Sequence, residues 1–265
     1  MIAGKSFEVF NISTSVTFIS EVDQIIKRMI SAGSTPSIKY RKAINRWVSS
    51  EIDNGNYAIS DSWYVFEAED EMQAKINWKT SVYNPTEPVA CPFTAGVGYK
   101  SNGTGYLNSN FGPGDGVNFI IDDNSLIIYT PEDGGTSASR VVGVEDGARD
   151  FFIQFTSASA GFQANWTNGL NEAFTSTISN GLWAMVRTAN NLTTLYQNNI
   201  SKGTSADLSS AFAWSKPFFL CANNANDTAD RFDITHTLGF ALFGSSLIDR
   251  ADLEDGHDQY LIDIS

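Results

Sequence analysis

Cysteine is almost missing from this chain. Cys91 and Cys221, the two among 265 residues, cannot build a disulfide framework, and Cys221, beside the apolar run Phe218-Phe219-Leu220, reads as a buried free thiol. Histidine is as scarce, with only His236 and His257. That rules out a metal site of clustered nitrogen and sulfur ligands. It also leaves a serine triad only two residues to serve as its base, and no Gly-X-Ser-X-Gly turn accompanies them. His236 falls on an apolar strand face, which suits a hydrogen-bonded core histidine, and His257 is expected on the exposed side of the last helix. Positive charge is short too: 17 Lys and Arg face 30 Asp and Glu, a net charge of −13. Such a surface repels phosphate backbones and anionic membranes, so no nucleic-acid partner is expected. The one basic cluster, Lys39-Tyr40-Arg41-Lys42 with Arg46, has the spacing of a solvated helix face. No run approaches the ~20 apolar residues of a membrane helix, and Met1 to Phe18 breaks its apolar residues with a Lys and a Glu. Neither membrane insertion nor a secretory signal is expected. Six Asn-X-Ser/Thr triplets then read as a by-product of composition. Gly112-Pro113-Gly114-Asp115-Gly116 carries no Lys-Ser/Thr and is no phosphate loop.

What is present favours β-structure. Apolar residues make up 42% and aromatics 12%, enough for thick core layers, while charged residues reach only 18%, below the ~25% usual in soluble domains. The centre of the pattern is Gly181 to Gly203. Leu182, Ala184 and Val186 lie on one strand face and Trp183 and Met185 on the other, so this strand is expected in the middle of a layered sheet. Asn190-Asn191 turns it back through residues that tolerate the left-handed conformation, into Leu192 to Gln197 and a second turn at Asn198-Asn199. From Cys91 on, short strands recur every ~8–12 residues, the pattern of an antiparallel sandwich. They are expected at Tyr106 to Phe111, Asn118 to Thr130, Arg140 to Glu145, Asp150 to Thr156, Gly161 to Trp166, Phe218 to Ala222 and Phe232 to Phe243. A short helix over Asp249 to Ile262 ends the series.

Upstream the period changes. Residues 1–19 read as an extended arm. Ser20 is a suitable N-cap for a helix with Val22, Ile25, Ile26, Met29 and Ile30 on one stripe, closed by Gly33. A second helix opens at Thr35-Pro36 and carries Tyr40, Ile44, Trp47, Val48 and Ile52. A third, shorter one is expected over Glu67 to Trp78. The organisation read from this is an arm (1–19), a helical attachment segment (20–90) and a sandwich (91–265).

Chemistry is harder to find. Glycoside hydrolysis needs two carboxylates flanking a bond. Glu21/Asp23 and Glu67 to Glu71 fall at helix starts, Glu145-Asp146 falls at a turn, and no strand carries alternating acids. The chain is therefore expected not to be an enzyme, with carboxylates converging from distant strands as the remaining route. No cofactor is expected except calcium, which takes loop oxygens and has Asp227, Asp230 and Asp233 as candidates in one loop. Sugar binding calls for planar aromatics beside amides and acids. Asn102, Tyr106, Trp166, Trp214, Asn223, Asn224 and Asn226 are the candidates, though each aromatic taken singly reads first as core.

The hairpin, the strand "PFFLCANN" and the closing "LGFALFGSSLIDRADLEDGHDQYL" resemble a laminin G/concanavalin A-like jelly roll. Upstream, "RKAINRWVSSEIDNGNYAISDSWYVFEAEDEMQAKINWK" and "YNPTEPVACPFTAGVGYKSNGTGYLNSNFGPGDG" are similar to a layout of tailed-phage virion structural proteins: two helices, two conserved-looking segments, then the sandwich. Gly96-Val97 stands where that layout carries an acid-base pair before Gly98-Tyr99. The resemblance implies a mainly β, concanavalin A-like sandwich on a helical segment, in a fibre, spike or decoration of head or tail. It implies other virion proteins as partners, a homo-oligomer with a trimer favoured, and host-surface polysaccharide as a ligand. A purely architectural virion protein and, behind it, a polysaccharide-cleaving enzyme are the alternatives.

Overall fold

The computed structural model describes residues 17–134, 139–145, 150–156, 159–164, 172–175, 179–206 and 216–265. The arm expected over 1–19 therefore falls almost wholly outside the described residues, as do Trp166 and Trp214. The chain is mainly β, an antiparallel sandwich with helices at its start and a helix at its end. Two helices, α1 (Ser20–Ser31) and α2 (Ile38–Asp53), precede strand β1 (Ser60–Val65) and the single turn α3 (Glu71–Ala74). Short strands follow: β2 (Thr86–Val89), β3 (Phe93–Thr94), β4 (Gly98–Tyr99) and β5 (Tyr106–Asn108). Then come β6 (Asn124–Thr130), β7 (Ser139–Glu145), β8 (Asp150–Thr156), β9 (Ser159–Ala164) and β10 (Glu172–Thr175). The central meander is β11 (Gly181–Ala189), β12 (Leu192–Gln197) and β13 (Ile200–Ser205). Last are β14 (Phe219–Leu220), β15 (Asn223–Ala225), β16 (Thr228–Asp230), β17 (Phe240–Gly244) and α4 (Arg250–Ile264).

Three layers result. The first sheet has the order β1-β17-β6-β11-β12-β13, and the second runs β10-β9-β8-β7-β14-β5-β2 with β15 and β16 attached beside β7. Their inner faces meet in an aromatic core: Phe218 lies 4.6 Å from Phe243 and 5.5 Å from Phe151, and Phe155 meets Trp183 at 5.1 Å. α2 and α4 cover the outer face of the first sheet. Trp47 of α2 stands edge-on to Trp63 at 5.0 Å and to Phe240 at 5.8 Å, and Tyr260 of α4 closes over it at 5.1 Å.

β11 is buried on both faces because β6 and β12 flank it and helices and sheet sandwich it. The left-handed turn falls at Asn198-Asn199, with φ of 47° and 61°, and not at Asn190-Asn191, where neither residue takes a positive φ. A type I′ link between antiparallel strands takes both central residues left-handed; the β11–β12 pairing instead carries a register shift between Arg187 and Ala189.

Several sequence expectations are corrected. The boundary at residue 90 does not divide the fold, because β1 pairs with β17 along Trp63↔Leu242 and β2 pairs with β5. The helical segment thus supplies a strand to each sheet as well as the helices. The third helix shrinks to one turn because Trp63 to Phe66 and Trp78 are drawn into the sheet and its aromatic cover. α1 starts with Ser20 inside it and no side-chain cap, and α2 is capped by Ser37, whose hydroxyl accepts the Tyr40 N–H at 3.1 Å, two residues after Thr35. Phe232 to Phe243 is a strand only from Phe240: Ile234 is exposed, and Asp233 to His236 forms a polar turn. His257 is buried. Its Nε2 lies 2.5 Å from Glu67 Oε2, and it packs 4.3 Å from Tyr129, because the inward face of α4 has to fill the space over the sheet. Among the described residues, no helix is long and apolar enough to cross a membrane.

Candidate functional site

The outer face of the second sheet carries no helix in the described structure, and its central residues do not read as ordinary surface. Cross-strand register places Asn108, Phe219, Gly143 and Phe152 in one row across β5, β14, β7 and β8. Tyr106, half-buried at the edge of this row, lies 4.5 Å from Phe219. Phe152 and Phe219 are buried yet lie apart from the main core cluster, on the far side of the sheet.

Arg140 and Gln154 face each other in the next pair along β7 and β8. The Arg140 guanidinium lies flat over the Phe152 ring, 3.5 Å from its centroid, and bonds Glu145 at 3.1 Å and Asp150 at 3.2 Å. Burial raises the Asp150 carboxyl above the usual range even with Arg140 beside it, and burial lowers Arg140. Asn223 completes the group, its amide donating to Asp230 at 2.8 Å and to Glu145 at 3.2 Å. Gly143 makes room for it: a Cβ there would sit 2.6 Å from Asn223 Oδ1 and 2.9 Å from Phe152 Cβ.

Three polar atoms of this cluster are buried without a hydrogen-bond partner: Arg140 Nε, Gln154 Oε1 and Asn223 Oδ1. A donor or acceptor in that state costs ~1–3 kcal/mol. The cluster thus holds one donor and two acceptors beside the Phe152 and Phe219 rings, with Glu145 and Asp150 at its rim, their side chains 25% and 20% exposed.

The sequence candidates divide. Tyr106, Asn223 and Asp230 meet at this face. Asn224 braces the loop, donating to Pro217 O and accepting the Asp227 N–H, both at 2.7 Å. Asn226 and Asp227 are the left-handed pair of the β15–β16 turn, with φ of 52° and 68°. Asn102 folds its own loop, accepting the Gly105 N–H at 2.9 Å. The three calcium candidates do not share a site. Asp227 pairs with Lys216, Asp230 takes the Asn223 amide, and Asp233 binds His236 Nδ1 at 2.8 Å. Among the described residues no group of three or more His, Cys, Asp or Glu side chains is arranged to hold a metal ion.

Arg140, Glu145, Asp150 and Gln154 were missed as site residues. The signal was there: a charged and an amide side chain interrupt "SRVVGVE" and "DFFIQFT", strands otherwise apolar on both faces.

No protein-family model matches this sequence, and no curated protein matches it. Solved structures do. Domain 4 of an extracellular arabinanase from Geobacillus stearothermophilus, in complex with arabinotriose, aligns with a TM-score of 0.50 at 11% identity, over 75% of this chain and 98% of that one. A mutant of Trypanosoma rangeli sialidase displaying trans-sialidase activity gives 0.53 at 12%, over 83% of this chain and 39% of that one. The botulinum neurotoxin serotype D binding domain gives 0.50 at 10%, over 76% and 52%. This chain therefore spans about half or less of the latter two. At such identities the likeness is one of fold: the chain has the β-sandwich architecture found in these proteins.

Proposed function

We propose that this protein is a carbohydrate-binding β-sandwich whose binding surface is the outer face of the second sheet, around Arg140, Gln154, Asn223 and Tyr106. One observation carries the reading: three buried, unpartnered polar atoms stand beside a row of aromatic rings on the outer sheet face that carries no helix among the described residues. Sugars present ring faces and hydroxyls together, which suits such a surface. The fold shared with an arabinanase domain held with arabinotriose lends support. Binding without cleavage is proposed for this face.

The finer proposal, resting on the resemblance of residues 20–265 to tailed-phage virion proteins, is that the chain sits on a virion as a homo-oligomer, a trimer favoured, and uses this face on host-surface polysaccharide. The test of binding is a glycan array probed with the whole chain, because β1 and β2 belong to the sheets. Retention of at least one oligosaccharide class, lost in Asn223→Ala and Gln154→Ala, is the expected result. An array without signal, or signal unchanged in both variants, would overturn the reading. Detection of the chain in purified particles by mass spectrometry tests the virion proposal separately.

A further inference from the structure

The second cluster of chemistry-bearing side chains lies at the end of the sandwich, where Asp133, Ser179, Asp233 and His236 meet. Ser179 Oγ is 2.7 Å from His236 Nε2, and His236 Nδ1 is 2.8 Å from Asp233 Oδ2. Asp233 is held in place by the N–H groups of Thr235 and His236, at 2.9 and 3.1 Å, and by the Thr235 hydroxyl at 2.8 Å. Burial alone would raise the Asp233 carboxyl, but these bonds and the imidazole hold it below its ordinary range, so it is the anion that faces Nδ1. Phe155 packs on the imidazole at 4.4 Å, and Gly134 permits the close approach of its loop, since a Cβ there would lie 2.3 Å from Thr235 O.

At rest the Ser179 hydroxyl donates to Asp133 Oδ1; with Nδ1–H directed at Asp233, a turn of that proton from Asp133 to Nε2 gives the arrangement of a serine nucleophile, its base and the residue that orients the base. We propose that Ser179 is a nucleophile toward small carboxylic esters. His236 is the general base and Asp233 the positioning residue. Oγ attacks the ester carbonyl carbon while its proton passes to Nε2. The carbon–alkoxy bond then breaks, and the alcohol leaves with that proton. Water attacks the acyl-serine, gives a proton to Nε2, and releases the carboxylic acid as Oγ is reprotonated. Ser179 is 7% exposed, so only a small ester is proposed. Asp133 competes for the same hydroxyl: its Oδ1 lies 2.6 Å from Ser179 Oγ and 3.2 Å from the Ser179 N–H. This carboxylate draws the serine proton away from His236 in the resting state.

The experiment is labelling of the native chain with an alkyl fluorophosphonate, with the adduct located by peptide mass spectrometry, alongside release of p-nitrophenol from p-nitrophenyl acetate. The expected result is an adduct at Ser179, absent after heat denaturation, with ester release lost in Ser179→Ala. His236→Gln should slow labelling by about 100-fold, while Asp133→Asn should label at or above the native rate. Absence of an adduct at Ser179 in the native chain overturns the proposal, and so does labelling slowed by Asp133→Asn, which would mark the cluster as a structural plug. Should His236→Gln fail to fold by circular dichroism, the native chain and Asp133→Asn decide.

Discussion

The two sheets of this sandwich treat their outer faces in opposite ways. On the first, α2 and α4 lay Trp47, His257 and Tyr260 over Trp63, Tyr129 and Phe240, and the Glu67 carboxylate meets His257. On the second, Arg140, Gln154 and Asn223 are buried with atoms unpaired. Both faces are aromatic, so aromatic content alone does not separate a structural face from a binding face. Unpartnered buried atoms occur on both, with the Trp47, Trp63 and Trp78 indole N–H groups and one Glu51 oxygen on the helix side; what separates the second face is that a guanidinium and two amides gather there beside aromatic rings.

The largest break in that comparison should come from Trp47→Ala. It removes the ring at the centre of the helix–sheet layer and is expected to cost ~3–5 kcal/mol in urea unfolding, while the folded fraction keeps its glycan binding. Equal loss on both counts would mean the two faces are not independent.

Next is Glu51, fully buried on α2, with one oxygen bonded by Asn56 at 2.7 Å and the other without a partner. Burial pushes its carboxyl from 4.5 up to about 7. The folded state therefore holds a proton that the unfolded chain releases, so this contribution is full below pH 4.5 and is lost as pH rises through about 7. The loss amounts to roughly 3 kcal/mol. Glu51→Gln should gain about that much at pH 8 and almost nothing at pH 4, read as the change in melting temperature with pH.

Arg140→Met tests the outer face of the second sheet. It leaves Glu145 and Asp150 without their cation, but both carboxylates reach water, so about 2 kcal/mol is expected, below the ~3–5 of a fully buried pair. Glycan binding should fall with it. The smallest stability change should come from Tyr106→Ala at the sheet edge, under about 1 kcal/mol, with a clear loss in the array signal. A Tyr106 variant that binds normally would move the site toward Gln154 and Asp150.

Much of the fold was legible from pattern. The stripes of α1 and α2, the two-faced burial of Leu182 to Val186 and a turn at Asn198-Asn199 all follow from local periodicity and turn chemistry, whereas the left-handed pair expected at Asn190-Asn191 falls at Asn198-Asn199 instead. Ile30 and Ile52 are on their predicted stripes yet exposed, because each lies at the last turn, beyond the reach of the layer it faces. The site was half legible. Asn223 and Tyr106 stood out as sugar-binding candidates and Asp230 as a calcium candidate, whereas Arg140 and Gln154 entered the reading only as positions in expected strands.

The sequence by itself determined the local alternatives: which stretches are helix, which are strand, where the chain turns, and that a thick aromatic core would form. These depend on neighbours a few residues apart. Only the tertiary structure decided that residues 20–90 add a strand to each sheet and that His257 meets Glu67 across 190 residues. It also brought Ser179 to the Asp233–His236 turn across 57 residues. Strand order across a sheet is set by which surfaces can be buried at once, and no short window of sequence contains that condition.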